Sequence, residues 1–355
     1  MGKMRPTRAC LIPKRRDKIV IIDCHGHYTT EPSQLTDYRK SQLDALDADP
    51  SFVPTPADLK ISDDEIRERL EPNQIKLLRE RGIDKTIFSP RAVGMGHHLG
   101  TEQTGYYWAE ICNNMIRRVC DLYPDTFIPV CQLPQFPGVE PAKAVAELER
   151  CVNEMGFIGC NVNPDPSGAW WTDPPITDKW WYPLWEKMVE LDVPGMLHVS
   201  GSCNPNFHHT GAHYIAGDTT VFMQLIVGDL FKDFPTLKFI IPHGGGAVPF
   251  HWGRYRGLAQ DMGKPTLDEH LLDNVFFDTC VYHQPGIDCM TKVIPTKNIL
   301  FASEMVGAVR GIDPETGFNY DDTKRYIDGT PNLTAAEKAE VFSGNVQKVF
   351  SRLKI

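Results

Sequence analysis

No stretch of this 355-residue chain approaches the roughly 20 consecutive apolar residues that a transmembrane helix needs. Basic charge is in deficit. Lys and Arg number 37 against 46 Asp and Glu, a net charge of -9, so the electrostatic footprint of a nucleic-acid binder is missing. Neither GxGxxG nor a Walker A loop occurs, which removes the common phosphate cradles. Ten cysteines are present, none spaced as CxxC. Cys24, Cys131, Cys160 and Cys280 sit in strand-like runs, which fits buried thiols in a reducing cytoplasm better than a disulfide framework. Basic residues gather only at the start, where Lys3, Arg5, Arg8, Lys14, Arg15 and Arg16 have no apolar segment behind them. That excludes an ordinary secretory signal, and residues 1–17 read as a flexible basic extension outside the chemistry.

From Lys18 the chain alternates short β-branched runs with amphipathic stretches, and residues 18–355 read as one domain. Strands are expected at 19–23, 85–89, 127–131, 157–161, 195–199, 238–242, 275–278 and 298–302. Between the first two lies a long insertion rich in Asp and Pro. It ends at Ser62-Asp63-Asp64-Glu65, which has the form of a capping box. The helical run that follows stops at Gly82, a good residue for the left-handed position after a helix. Near-continuous apolar strands imply burial on both faces and a parallel sheet. Eight βα units favour an α/β fold of the (β/α)8 TIM-barrel type over an open doubly wound sheet.

In such barrels the chemistry gathers where the strands run out. The first strand ends in Asp23-Cys24-His25-Gly26-His27, and two His at i and i+2 on an extended chain share one side. Gly26 is expected to let the backbone pass close to a cation gripped by both. The fifth strand ends in His198, the sixth in His243 and the eighth in Glu304. A lone His at a strand end is more often a satisfied core or surface residue. Four of twelve His at three strand ends on one face, with a carboxylate at the last strand, are hard to assign to packing. Three imidazoles and one carboxylate with room for water make a catalytic zinc set rather than a closed structural one.

His25-Gly26-His27, His198, His243 and the carboxylate after the eighth strand resemble the amidohydrolase superfamily. Within it, the nearest group holds metal-dependent decarboxylases and hydratases. The resemblance implies that His25, His27, His198 and Glu304 hold one Zn2+ per chain, another divalent transition metal being the alternative. It places His243 beside the metal as an acid or base, with Glu304 orienting the water or taking its proton. In that group the last carboxylate is usually Asp in a Gly-Ser-Asp-like turn, whereas here the turn is Ala302-Ser303-Glu304. Together with Ile22 to Thr30 and Asp313 to Gly317, this departure is similar to the hydratases. It implies addition of water to an alkene bearing three carboxylates, in meta-cleavage catabolism of protocatechuate or gallate. The rivals are a non-oxidative decarboxylase of an aromatic acid, against which the Glu for Asp exchange counts, and a metal-dependent hydrolase. A non-enzymatic barrel that lost its metal is opposed by retention of all the ligand types.

A polycarboxylate substrate needs fixed cations, and Arg forks suit carboxylates. Arg91, after the second strand, and Arg310 are the candidates, with an ordinary surface role as the bland alternative. Asn161 and Asn163 follow the fourth strand, where turn formation competes with substrate contact. In the loop 200–214, Cys203 and Tyr214 are the residues expected to touch substrate. Trp170-Trp171 and Trp180-Trp181 suit packing or an oligomer contact better than a stacking platform. The expected partners are a small polycarboxylate and further copies of the chain, in the cytoplasm, with neither nucleic acid nor membrane.

Overall fold

The computed structural model describes residues 19–355, so the basic extension expected over residues 1–17 lies outside the described residues. Nine short strands follow in order: β1 (Ile22–Tyr28), β2 (Lys85–Pro90), β3 (Phe127–Pro129), β4 (Cys131–Gln132), β5 (Cys160–Val162), β6 (Gly195–Leu197), β7 (Phe239–Ile241), β8 (Val275–Asp278) and β9 (Ile299–Leu300). All paired neighbours are parallel. β3 and β4 are two halves of one stave. β3 pairs with β2 and β4 with β5, and Val130 N still donates to Phe88 O at 2.9 Å. At the end of β3, Pro129 has no amide hydrogen to give the β5 side, which breaks the ladder there. The ring closes where Cys24 N donates to Phe301 O (2.9 Å) and Glu304 N to His25 O (3.0 Å). Eight staves with helices around them form a (β/α)8 barrel.

Side chains alternate along each stave, so the inward set is read directly. Ile22, Cys24, Ile87, Ile128, Val130, Ile158, Met196, Ile240 and Leu300 fill the barrel interior, and Val346, Val349 and Phe350 pack onto the same cluster. The opposite residues of the staves, such as Phe88, Leu197, Phe239, Ile241 and Phe301, pack against the surrounding helices.

The first strand differs from its expected bounds. It begins at Ile22, not Ile19, and continues through the His-x-His to Tyr28. Its register against β2 shifts between Asp23, paired with Thr86, and Gly26, paired with Phe88, so β1 carries one extra residue. That bulge lets Ile22 and Cys24 belong to the apolar interior while His25 and His27, one step out of phase, join the polar cluster above it. Gly26 is required by the packing of this strand on β2. A Cβ there would stand 2.2 Å from Thr86 Cγ2 on β2.

The insertion after β1 contains an unexpected helix, Ser33–Ala48. The capping box at Ser62 is present, with Ser62 N donating to Glu65 Oε2 (2.7 Å) and Glu65 N to Ser62 Oγ (3.2 Å). The helical run widens into a π turn over Glu71–Ile75, where Pro72 cannot donate to the α-helical ladder, and ends at Gly82 with φ 68°. No described helix is long and apolar enough to cross a membrane.

Candidate metal centre

Each clustered histidine is held by one ring nitrogen, and the identity of the holder fixes the proton. His198 Nδ1 lies 2.7 Å from Val199 O. A carbonyl only accepts, so Nδ1 carries the hydrogen and Nε2 presents a bare lone pair. His25 Nδ1 is 2.7 Å from Asp278 Oδ2, and the Asp278 carboxyl is held below its ordinary value, burial being outweighed by this bond and by the charges of His25 and His243. His27 Nδ1 meets Ser89 Oγ at 2.8 Å, and Asn161 Nδ2 donates to that same oxygen at 3.0 Å. His243 Nδ1 donates to Asp218 Oδ2 at 2.9 Å. Such carboxylate and carbonyl partners are how metal-binding imidazoles are oriented.

The other nitrogens converge. Ligand atoms of His25, His198, His243 and Glu304 all lie within 4.8 Å of one another, in fully buried surroundings. His27 joins through its Nε2, 2.9 Å from His25 Nε2. The Nε2 atoms of His198 and His243 are buried without a hydrogen-bond partner among the described residues. The lone pairs of His25, His27 and His198 Nε2 and the Glu304 carboxylate converge in a dry site and repel unless a cation lies between them, so this donor set fits a divalent transition metal, with His243 beside it. A second grouping, His25, Asp278 and Cys280, shares only the outer nitrogen of His25, with Cys280 Sγ 3.6 Å from His25 Nδ1.

The electrostatics divide the cluster. Burial, then the neighbouring imidazoles, push His27 and His198 well below the ordinary histidine value, which favours their neutral forms. Burial also lowers His243, but Asp218, Glu304 and Asp278 outweigh it and raise that group to about 9. Asp218, desolvated beside it, rises to about 6, and of the two partners it is His243 that holds the proton. His243 Nε2 stands 3.8 Å from Glu304 Oε2, the oxygen that also accepts from Tyr282 Oη at 2.6 Å.

Two residues of the cluster have left-handed backbones, His243 (φ 51°) and Glu304 (φ 47°), a conformation that costs a non-glycine residue about 1–3 kcal/mol. Tertiary bonds hold Glu304 there. Asp23 clasps the two strands, its Oδ1 accepting from His25 N (3.0 Å) and Ser303 N (3.1 Å) while its Oδ2 takes the Ser303 hydroxyl.

The expected substrate contacts are scattered. Tyr214 is buried with its ring centroid 4.9 Å from that of His198 and 5.2 Å from that of His243. Asn161 reaches the cluster only through Ser89 and His27. Arg91 is paired with Glu31 at 2.9 Å, its Nε buried without a hydrogen-bond partner among the described residues. Cys203 is exposed and bonded to Ser167 O and Gly168 O, and Arg310 is exposed on the loop after Glu304. Asn163 bonds His97 Nδ1 (2.9 Å) and Ser200 Oγ (3.0 Å). Trp181 is fully buried and stacked on Trp185, whereas Trp170 is exposed. Asp278, Asp218, Ser89 and Tyr282 were missed by sequence reasoning. Asp278 had a visible signal, a carboxylate ending the apolar run Val275-Phe276-Phe277.

The sequence profile of the amidohydrolase family matches residues 22–352. The 2-keto-4-carboxy-3-hexenedioate hydratase of Sphingobium sp. (strain NBRC 103272 / SYK-6) is 60% identical over 335 residues, 94% of this chain and 97% of the relative. The crystal structure of 4-oxalomesaconate hydratase from Rhodopseudomonas palustris superposes with a TM-score of 0.86 at 56% identity, covering 94% of this chain and 96% of that one. A 5-carboxyvanillate decarboxylase from Novosphingobium aromaticivorans DSM 12444, solved with bound manganese, shares the fold. Its TM-score is 0.69 at 19% identity, covering 94% and 97% of the two chains.

Proposed function

The chain belongs to the amidohydrolase family, and from that premise we propose that it is a metal-dependent hydratase of 4-oxalomesaconate. The names of the two hydratase relatives describe one skeleton: a six-carbon chain with carboxylates on C1, C4 and C6, a ketone at C2 and an alkene between C3 and C4. Hydration places OH on C4 and H on C3, giving 4-carboxy-4-hydroxy-2-oxoadipate. The observation that carries the reading is 60% identity to a hydratase along nearly the whole of both chains. Glu304, in place of the Asp usual in decarboxylases, supports it.

His25, His27, His198 and Glu304 would hold the metal, for which we take zinc, and a cation there supplies a Lewis acid that brings the pKa of water towards 7. The residues do the rest. Glu304 takes the proton of the water whose oxygen bonds to C4. The alkene pair moves through C3 towards the C2 carbonyl, forming an enolate. His243, which carries a proton backed by Asp218, donates a hydrogen bond towards that charge as it develops, and the proton taken up by Glu304 is delivered to C3, so both residues end as they began. Arg91 pairs with a substrate carboxylate in this scheme, with Tyr214, Asn161, Cys203 and Arg310 as the remaining contacts. We further assign the chain to the cytoplasm, in keeping with nine free thiols among the described residues, and to a homo-oligomer. Exposed Val227, Leu258 and Met262 offer an apolar surface for copies to share.

Zinc-loaded protein incubated with 4-oxalomesaconate should bleach its ultraviolet absorbance and yield a product heavier by one water. Release of CO2 from an aromatic acid, with the alkene untouched, would replace the hydratase reading by the decarboxylase one.

A further inference from the structure

Glu304 has an uncommon problem for a working carboxylate. Its backbone is left-handed, and its side chain is one methylene longer than aspartate, so one more torsion must be fixed before the carboxylate points one way. Gly307 leaves room for it and nothing more. A Cβ at that glycine would lie 2.8 Å from Glu304 Cγ and 2.5 Å from Glu304 O. What fixes the far end comes from another loop. Tyr282, four residues beyond β8, donates its Oη hydrogen to Glu304 Oε2 at 2.6 Å. The tyrosine is itself anchored: its backbone carbonyl accepts from Tyr326 Oη (3.1 Å), in the helix Lys324–Gly329, and Arg325 Nη2 donates to that same hydroxyl (3.2 Å). Glu304 Oε2 is thereby held facing His243 Nε2, 3.8 Å away.

We infer that Tyr282 is a positioning residue for the hydration, acting through Glu304: its hydroxyl fixes the carboxylate in the one orientation from which it takes the water's proton. The inference rests on the hydratase reading above. A phenol donating to a carboxylate is a charge-assisted bond, and losing it should lower the rate about 10- to 100-fold. The effect belongs to turnover rather than to binding, because the bond orients the base and touches no substrate atom.

Tyr282→Phe removes the hydroxyl and keeps the ring. In the metal-loaded enzyme with 4-oxalomesaconate we expect kcat to fall about 10- to 100-fold while KM stays within about twofold, with metal content and Tm as in the wild type. The same substitution in a Glu304→Asp background should change kcat less than about twofold, since the shortened carboxylate no longer reaches the hydroxyl. An unchanged kcat overturns the inference. So do equal losses in both backgrounds, or metal lost in step with activity, which would make Tyr282 a mere support of the metal site. A wild type that does not hydrate the alkene would overturn the proposed function first, and this inference with it.

Discussion

His25, His27, His198 and His243 form one histidine-rich region above the barrel, and His98, His208, His209 and His213, on the loops after β2 and β6, form another. In the first, each Nδ1 is held from outside, by Asp278, Ser89, the Val199 carbonyl and Asp218, and the far nitrogens converge. In the second, the two exposed rings serve the chain itself. His208 Nδ1 accepts from Gly211 N (3.2 Å) and His209 Nδ1 from Ser202 N (2.7 Å), so their lone pairs are spent on turns. His213 is buried with neither nitrogen hydrogen-bonded among the described residues, its Nε2 3.8 Å from Asp165 Oδ2. Asp165 gives its oxygens to the amides of Ser167, Ala169 and Trp171. Four histidines in a loop cluster do not make a metal site. What makes one is a partner on the outer nitrogen that leaves the inner lone pair free.

The sharpest way to break this comparison is His198→Ala, which removes an inner lone pair and leaves the loop cluster untouched. Metal should fall far below one ion per chain by elemental analysis, and hydration should drop by roughly 10³-fold or more, the worth of a lost Lewis acid. Full metal occupancy with normal turnover would mean the ion is held elsewhere. His243→Asn tests a finer division within the first region. Because His243 carries a proton, its loss should leave the metal in place while kcat falls by roughly 10²–10⁴-fold. If the ion leaves with it, His243 belongs among the ligands. The smallest effect is expected in the second region. His209→Ala should keep metal content, with kcat/KM within about twofold, and cost about 1 kcal/mol of stability for one neutral hydrogen bond. A thermal melt and elemental analysis check it, and metal loss there would erase the distinction.

The order of strands and the residues at their ends were legible because burial on both faces writes long apolar runs, and a polar residue closing such a run is conspicuous. His198, His243 and Glu304 were found that way. The breaks were not legible. Pro129 splits a stave without disturbing its apolar pattern, and the bulge in β1 depends on the spacing of β2, which no local residue encodes. Asp218 lies inside the helix Tyr214–Val227, where a carboxylate has no periodic meaning, and its bond to His243 spans 25 positions of chain. Tyr282 was hidden for a similar reason, standing four residues past the end of its strand, where no apolar run marks it. Arg91 could be placed at a strand end from sequence, but its pairing with Glu31 could not.

The clasp between Asp23 and Ser303 has a consequence for how the protein is made. It joins positions 280 residues apart, so a chain emerging from the ribosome carries His25, His27 and His198 long before Glu304 exists to face them. Until the last staves are synthesised, β1 has no partner on one edge, and the Cys24 amide and the His25 carbonyl have nothing to bond across the gap. Closure of the ring and assembly of the ion-binding cluster are therefore one late event. A chain interrupted before residue 300 would present an open sheet edge and an unfinished site together, the kind of exposed intermediate that cells must shelter or destroy.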